Sequence, residues 1–174
     1  MLRRLAVALT VGGLAISGAA AAQGPALNDA QIAHIAYTAG QIDVDAGKQA
    51  LAKSDNKAVR DFAAEMVRDH AAVNDKALAL VKKLGVTPQA NATSQALSSQ
   101  AAEQSAKLSK LSGAEFDRAY VEGEVAFHRT VNGALHDTLI PKAQNGELKS
   151  LLETGLTLFT EHQSHAEHVA AELQ

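Results

Sequence analysis

The chain has 174 residues, 16 Lys or Arg against 19 Asp or Glu, and no cysteine. The missing cysteine excludes a disulfide framework, lipoprotein acylation and thiolate chemistry. A slight acidic excess with scattered lysines leaves no electrostatic footprint for nucleic acid or anionic lipid.

The first segment, Met1 to Ala22, has the layout of a cleavable leader. Arg3 and Arg4 form a basic start, Leu5 to Ile16 an apolar run, and Ser17-Gly18-Ala19-Ala20-Ala21-Ala22 a small-residue cleavage signal. The apolar run is shorter than the ~20 residues that a membrane-spanning helix needs. The expectation is export to the periplasm or beyond. Cleavage after Ala22 would leave a short N-terminal extension, residues 23–27, and one soluble domain over residues 28–174 without a membrane span. Aromatic residues make up 3% of the chain. Such a composition favours close-packed helices over sheets, because strands draw on branched and aromatic side chains.

Four long segments carry helical periodicity. The first runs from the cap Asn28 to about Lys53 and shows Ile32, Ile35, Ala39, Ile42 and Ala46 on one face. The turn Ser54-Asp55-Asn56 is short enough to force an antiparallel neighbour. The second helix runs from Lys57 to Leu84 and stops at Gly85, with Pro88 beyond. Its seam steps by threes and fours through Val59, Ala63, Met66, His70, Val73 and Ala77. Residues 86–112 are rich in Ser, Gln and Ala and read as a crossover with one short, weakly amphipathic helix. The third long helix opens at a capping box, Ser112 with Glu115, and ends near Ile140, before Pro141. After Gln144-Asn145-Gly146 the fourth covers about Glu147 to Glu172, with the seam Leu148, Leu152, Phe159, His162, Ala166 and Val169. Two hairpins joined by a long crossover is the connectivity of a ferritin-like four-helix bundle.

Turning each helix by 100° per residue sorts its ionisable groups. Asp43 falls about 20° from Ile32, and His70 lies on the second seam with Asp69 at its edge. Asp117, Glu124 and His128 share one arc of the third helix, and His162 sits on the fourth seam with His165 beside it. Each helix is ~40 Å long, and Asp43, His70, His128 and His162 all lie near its middle. Near-central residues stay level whichever way the helices run. One mid-height layer therefore gathers Asp43, His70, His128 and His162, with Asp69, Asp117 and Glu124 as supporting or additional ligands. Burying such groups costs several kcal/mol each unless they pair or bind a metal. Imidazole with carboxylate suits zinc, iron or manganese. The alternative is a hydrogen-bonded layer that only fixes helix register, in an envelope or stress-related protein that binds another protein through its surface. No Gly-x-Ser-x-Gly elbow and no His-Glu-x-x-His helix is present, so no catalytic residue is assigned.

The segments Phe62-Ala63-Ala64-Glu65-Met66-Val67-Arg68-Asp69-His70, Leu111-Ser112-Gly113-Ala114-Glu115-Phe116-Asp117-Arg118-Ala119-Tyr120 and Glu161-His162 resemble a family of secreted bacterial proteins. It is the domain-of-unknown-function family numbered four-one-four-two, often labelled predicted outer-membrane protein. The resemblance spans about Ile32 to Leu173. It implies a ferritin-like bundle in the periplasm with no established activity. On the family's pattern the first-helix acid falls on Asp43 and the histidines on His70, His128 and His162. The chain departs from that pattern at Asp43, where glutamate is usual, and at Thr157, where proline is common. It also lacks the Glu-x-x-His pairs of di-iron centres: Val67 precedes His70 by three residues and Phe159 precedes His162.

Overall fold

The computed structural model describes residues 27–174, and the segment expected to be a leader, Met1 to Ala22, lies outside them. Among the described residues the chain is all-α, with no strand. Helices α1 (Asp29–Lys53), α2 (Lys57–Lys83), α3 (Ala92–Ser109), α4 (Gly113–Ala134) and α6 (Gly146–Glu172) carry the structure. A π-helical segment (Leu135–Leu139) and the single turn α5 (Ile140–Lys142) prolong α4.

Asparagine starts four of these helices. Asn28, Asn56, Asn91 and Asn145 each accept hydrogen bonds from backbone N–H groups of the first turn, donors that otherwise have no partner. Ser112 departs from expectation: it is the N-cap of α4, but its side chain makes no capping bond. The next residue, Gly113, has φ 55, and this left-handed entry turns the hydroxyl away from the amides a capping box would join. The third long helix also outlasts its expected stop. Over Leu135–Leu139 the ladder changes to an i→i−5 register, with Ile140 N–H bonded to Leu135 C=O. That slack admits Pro141, which has no N–H to give, one turn later. The crossover helix α3 is five turns long rather than short.

Partner residues give the helix directions. Gly47 of α1 faces Ala63 and Val67 of α2, while Gly40 faces Asn74, so the two run antiparallel. Asn132 of α4 bonds the Phe159 carbonyl and Gln163 of α6, and Arg129 reaches Glu167, again antiparallel. On α3, Ser105 meets Gln49 and the Ser109 carbonyl meets Lys53, so α3 returns the chain parallel to α1. Helix α2 also packs on α6, and α1 on α4.

The interior is layered along the helix axes. One apolar cluster holds Val59, Phe62, Met66, Phe116, Val121 and Val169. The other, towards the opposite ends of the helices, holds Ile32, Ile35, Leu135, Leu139, Leu152 and Phe159. Between them every one of α1, α2, α4 and α6 buries an ionisable group: Asp43, His70, Glu124 with His128, and His162. Apolar burial at about 25 cal/mol per Å² holds the layers above and below and fixes the polar one in place.

Candidate metal centre

The side chains of the middle layer arrive on four helices, Asp43 from α1, His70 from α2, Glu124 and His128 from α4, and His162 from α6. His70 is 1% exposed and stacks on Phe159, ring centroids 4.4 Å apart at 12°. This stacking holds the imidazole plane, so the ring presents Nδ1 to α1 and Nε2 to α6. His70 Nδ1 lies 3.5 Å from Asp43 Oδ2, and His70 Nε2 lies 3.3 Å from His162 Nδ1. His162 turns its other nitrogen, Nε2, to Asp69 Oδ2 at 3.2 Å. His128 Nδ1 is 3.0 Å from the Glu124 carbonyl oxygen one turn back. If that nitrogen carries the proton it donates to the carbonyl, and Nε2 is left buried with a free lone pair and no partner.

Ligand atoms of His70, His128 and His162 lie within 4.8 Å of one another, all three side chains buried. Two nitrogens bound at 2.0–2.1 Å at a tetrahedral angle stand ~3.4 Å apart. The His70–His162 pair already has that spacing. While His70 Nδ1 lies 3.5 Å from Asp43 without a hydrogen bond, the other two rings have their second nitrogen hydrogen-bonded to an oxygen, the Glu124 carbonyl for His128 and Asp69 for His162. Histidines that bind metals are oriented in this way, since a donated N–H fixes the tautomer and makes the opposite nitrogen more basic.

Two further groups flank the imidazoles. Asp43, Glu124 and His128 form a second buried trio, and Glu65, Asp69 and His162 a partly buried one. Burial pushes the Asp43 carboxyl well above its usual range, and the neighbouring Glu124 carboxyl adds to the shift. Burial likewise raises Glu124 to about 7, while its hydrogen bond with Asp43 pulls the other way. Two buried carboxyls that hydrogen-bond each other share a proton rather than both ionise. Burial moves the imidazoles in the opposite sense, His70 down to about 2 and His128 to about 4, with the neighbouring rings adding to the effect; His162 is lowered too. All three are therefore neutral at pH 7, the form that binds a cation.

The family model matches residues 15–169, which include every side chain of this layer. The chain belongs to the family described as Domain of unknown function (DUF4142). No curated protein and no solved structure matches it. Membership in DUF4142 brings no assigned activity, so the chemistry rests on the residues of this chain.

Asp43, His70, His128 and His162 meet in one layer, with Asp69 and Glu124 in contact with its imidazoles. Asp117 does not join them. It is buried, with Oδ1 unpartnered, but it stands seven residues, or ~10 Å, along α4 from Glu124 and belongs to none of the three groups. Glu65 belongs to the layer's edge without having been singled out in the sequence. It lies one turn before Asp69, on the same face of α2, and accepts from His165 at 2.7 Å. That i, i+4 carboxylate pair beside a seam histidine was the available signal. The buried amides Asn74 and Asn132, each four residues beyond a layer histidine, were also passed over.

Proposed function

We propose that this protein is an exported, ferritin-like four-helix bundle that holds a single transition-metal ion on His70, His128 and His162. The observation that carries the reading is the convergence of three buried, neutral imidazoles, His128 and His162 braced through their far nitrogens and His70 by stacking on Phe159. Three nitrogens with room for a fourth ligand fit zinc best. Iron or manganese would have to draw Asp43 or Glu124 oxygens into the set. In this reading Asp43 and Asp69 orient His70 and His162 rather than bonding the ion, and Asp117 plays no part. The helix directions and the return of the chain along α3 support the ferritin-like connectivity. The basic, apolar and small-residue order of Met1 to Ala22 supports export to the periplasm. The role is binding rather than catalysis.

Two measurements test this. Untagged protein recovered from the periplasm should begin near Gln23 and carry close to one equivalent of metal by elemental analysis. A metal-free chain that also fails to take up zinc on titration defeats the metal reading. A second reading, a purely structural layer, draws on His162, whose two nitrogens already face His70 and Asp69. It requires a thermal midpoint indifferent to both zinc and chelator.

A further inference from the structure

A cavity of about 730 Å³ lies between α1, α3 and α4. Helix α3 roofs it. That helix is fastened at its ends: Asn91 bonds the Gln31 carbonyl at one, and Ser105 and the Ser109 carbonyl meet Gln49 and Lys53 at the other. Its only buried residues, Ser94 and Leu108, also lie near its ends, so the middle of the helix spans the void. The volume is that of a small-molecule site. Ile42, Leu97, Ala101, Leu108 and Phe127 line it with apolar surface.

Among the described residues its polar lining combines the hydroxyls and amides of residues such as Thr38, Gln41, Gln104 and Thr130 with three acids and no lysine or arginine. Asp43, Glu124 and Tyr120 line the cavity, and each is more than nine-tenths buried. Asp43 Oδ1, Glu124 Oε2 and the Tyr120 hydroxyl have no hydrogen-bond partner within the protein. Buried polar atoms are rarely left in that state, because each costs about 1–3 kcal/mol. Asp45 adds a further acid among the lining residues, and among the described residues that line the cavity there is no lysine or arginine. An anion would meet the Asp43, Asp45 and Glu124 carboxyls and no ammonium or guanidinium group to offset them. A cation with an apolar tail meets both halves of what it needs.

We infer that this cavity binds a small organic amine, its ammonium group drawn to the side of the cavity that carries the Asp43, Asp45 and Glu124 carboxyls and its hydrocarbon body along α3. The site stands whether or not a metal occupies the histidines. The test is calorimetry and amide chemical-shift mapping on the full mature chain with hexylamine, hexanol and hexanoate, in metal-loaded and chelator-treated samples. Hexylamine should bind at least tenfold tighter than hexanol or hexanoate, and roughly fourfold tighter per added methylene up to the length of the cavity. Glu124→Gln should weaken it by tenfold or more. Ala101→Phe, which fills the void from the middle of α3 without touching a carboxyl, should abolish binding while leaving the thermal midpoint in place. Equal binding of hexanol overturns the inference, as does binding that survives Ala101→Phe. Binding lost on chelation also overturns it, because the amine would then be coordinating the metal. A protein that takes up hexylamine but no zinc would defeat the metal reading alone.

Discussion

The two sides of the polar layer use the same side-chain types and reach opposite electrostatic states. On the α2–α6 side, Asp69 is gripped by the Arg68 guanidinium at 2.7 and 2.9 Å, and this holds its carboxyl below the usual range while it accepts from His162. On the α1–α4 side, Asp43 and Glu124 have no cation near them, and burial drives both upwards. An acid with a base beside it stays charged, and an acid with only another acid beside it keeps a proton. The layer therefore has a charged, half-open side and a protonated, closed one, with three neutral imidazoles between them.

The strongest break in that comparison is His70→Ala, since His70 reaches Asp43 on one side and His162 on the other. With zinc at 100 times its dissociation constant, the wild type should gain ~2.7 kcal/mol of stability by mass action, and the variant none. In chelator the variant should still lose ~1–3 kcal/mol, because Asp43 and His162 each lose a partner. Calorimetric melts with and without zinc decide it; an equal zinc response in both chains sinks the assignment.

Acid and alkali should then separate the sides in the metal-free protein. His128 titrates near 4 when folded and about 6.5 when unfolded, so its contribution is present above 6.5 and is lost as pH falls through 4. Glu124 runs the other way, at about 7 folded against about 4.3 unfolded, so its contribution is full below 4.3 and is lost as pH rises through 7. The thermal midpoint should peak between about pH 5 and 6.5 and decline on both flanks. Zinc should flatten the alkaline flank by favouring ionised carboxyls. A midpoint that is level from pH 4 to 8 would contradict this account of the layer.

Amide substitutions should have opposite signs on the two sides. At pH 8, Asp43→Asn should raise the midpoint of the metal-free chain, since it replaces an acid that the fold must keep protonated with a neutral hydrogen-bond donor. Asp69→Asn should lower it, by no more than ~1 kcal/mol for a pair open to solvent. Two shifts of the same sign would erase the distinction. The mildest change is Arg68→Ala. It should leave the melt unchanged and raise the Asp69 carboxyl pKa in a carbon-detected NMR titration.

Much of this layout was legible in the sequence because it follows from period and height alone. Asn28, Asn56 and Gly85 mark helix ends through backbone rules, and an inward residue in the middle of a long helix stays in the middle whatever its neighbours do. What could not be read depended on contacts between helices. Asp117 has the right face of α4 but the wrong height, and only the axial alignment of α1 against α4 shows that Glu124, not Asp117, is level with Asp43. Asn74 looks like a surface amide until Gly40 is placed opposite it. The i→i−5 turn before Pro141 leaves no compositional trace, and Ser112 with Glu115 spells a capping box that the Gly113 backbone prevents.

Gly40 and Gly47 also act as a spacer of zero thickness between α1 and α2. A methyl group at position 47 would sit 2.9 Å from the Ala63 carbonyl oxygen, and one at position 40 would sit 2.5 Å from Asn74 Oδ1. Neither fits unless something gives way, and at Gly47 the obstruction is the Ala63 backbone carbonyl together with Val67 Cγ2 at 2.8 Å. Asp43 lies between the two glycines and His70 lies opposite, so the distance between these helices sets the reach from carboxylate to imidazole. One added carbon at position 47, four residues from Asp43 and far from any ligand atom, would work as a wedge. It would lengthen the Asp43–His70 contact and tune the metal affinity of the proposed centre without altering a single residue that touches it.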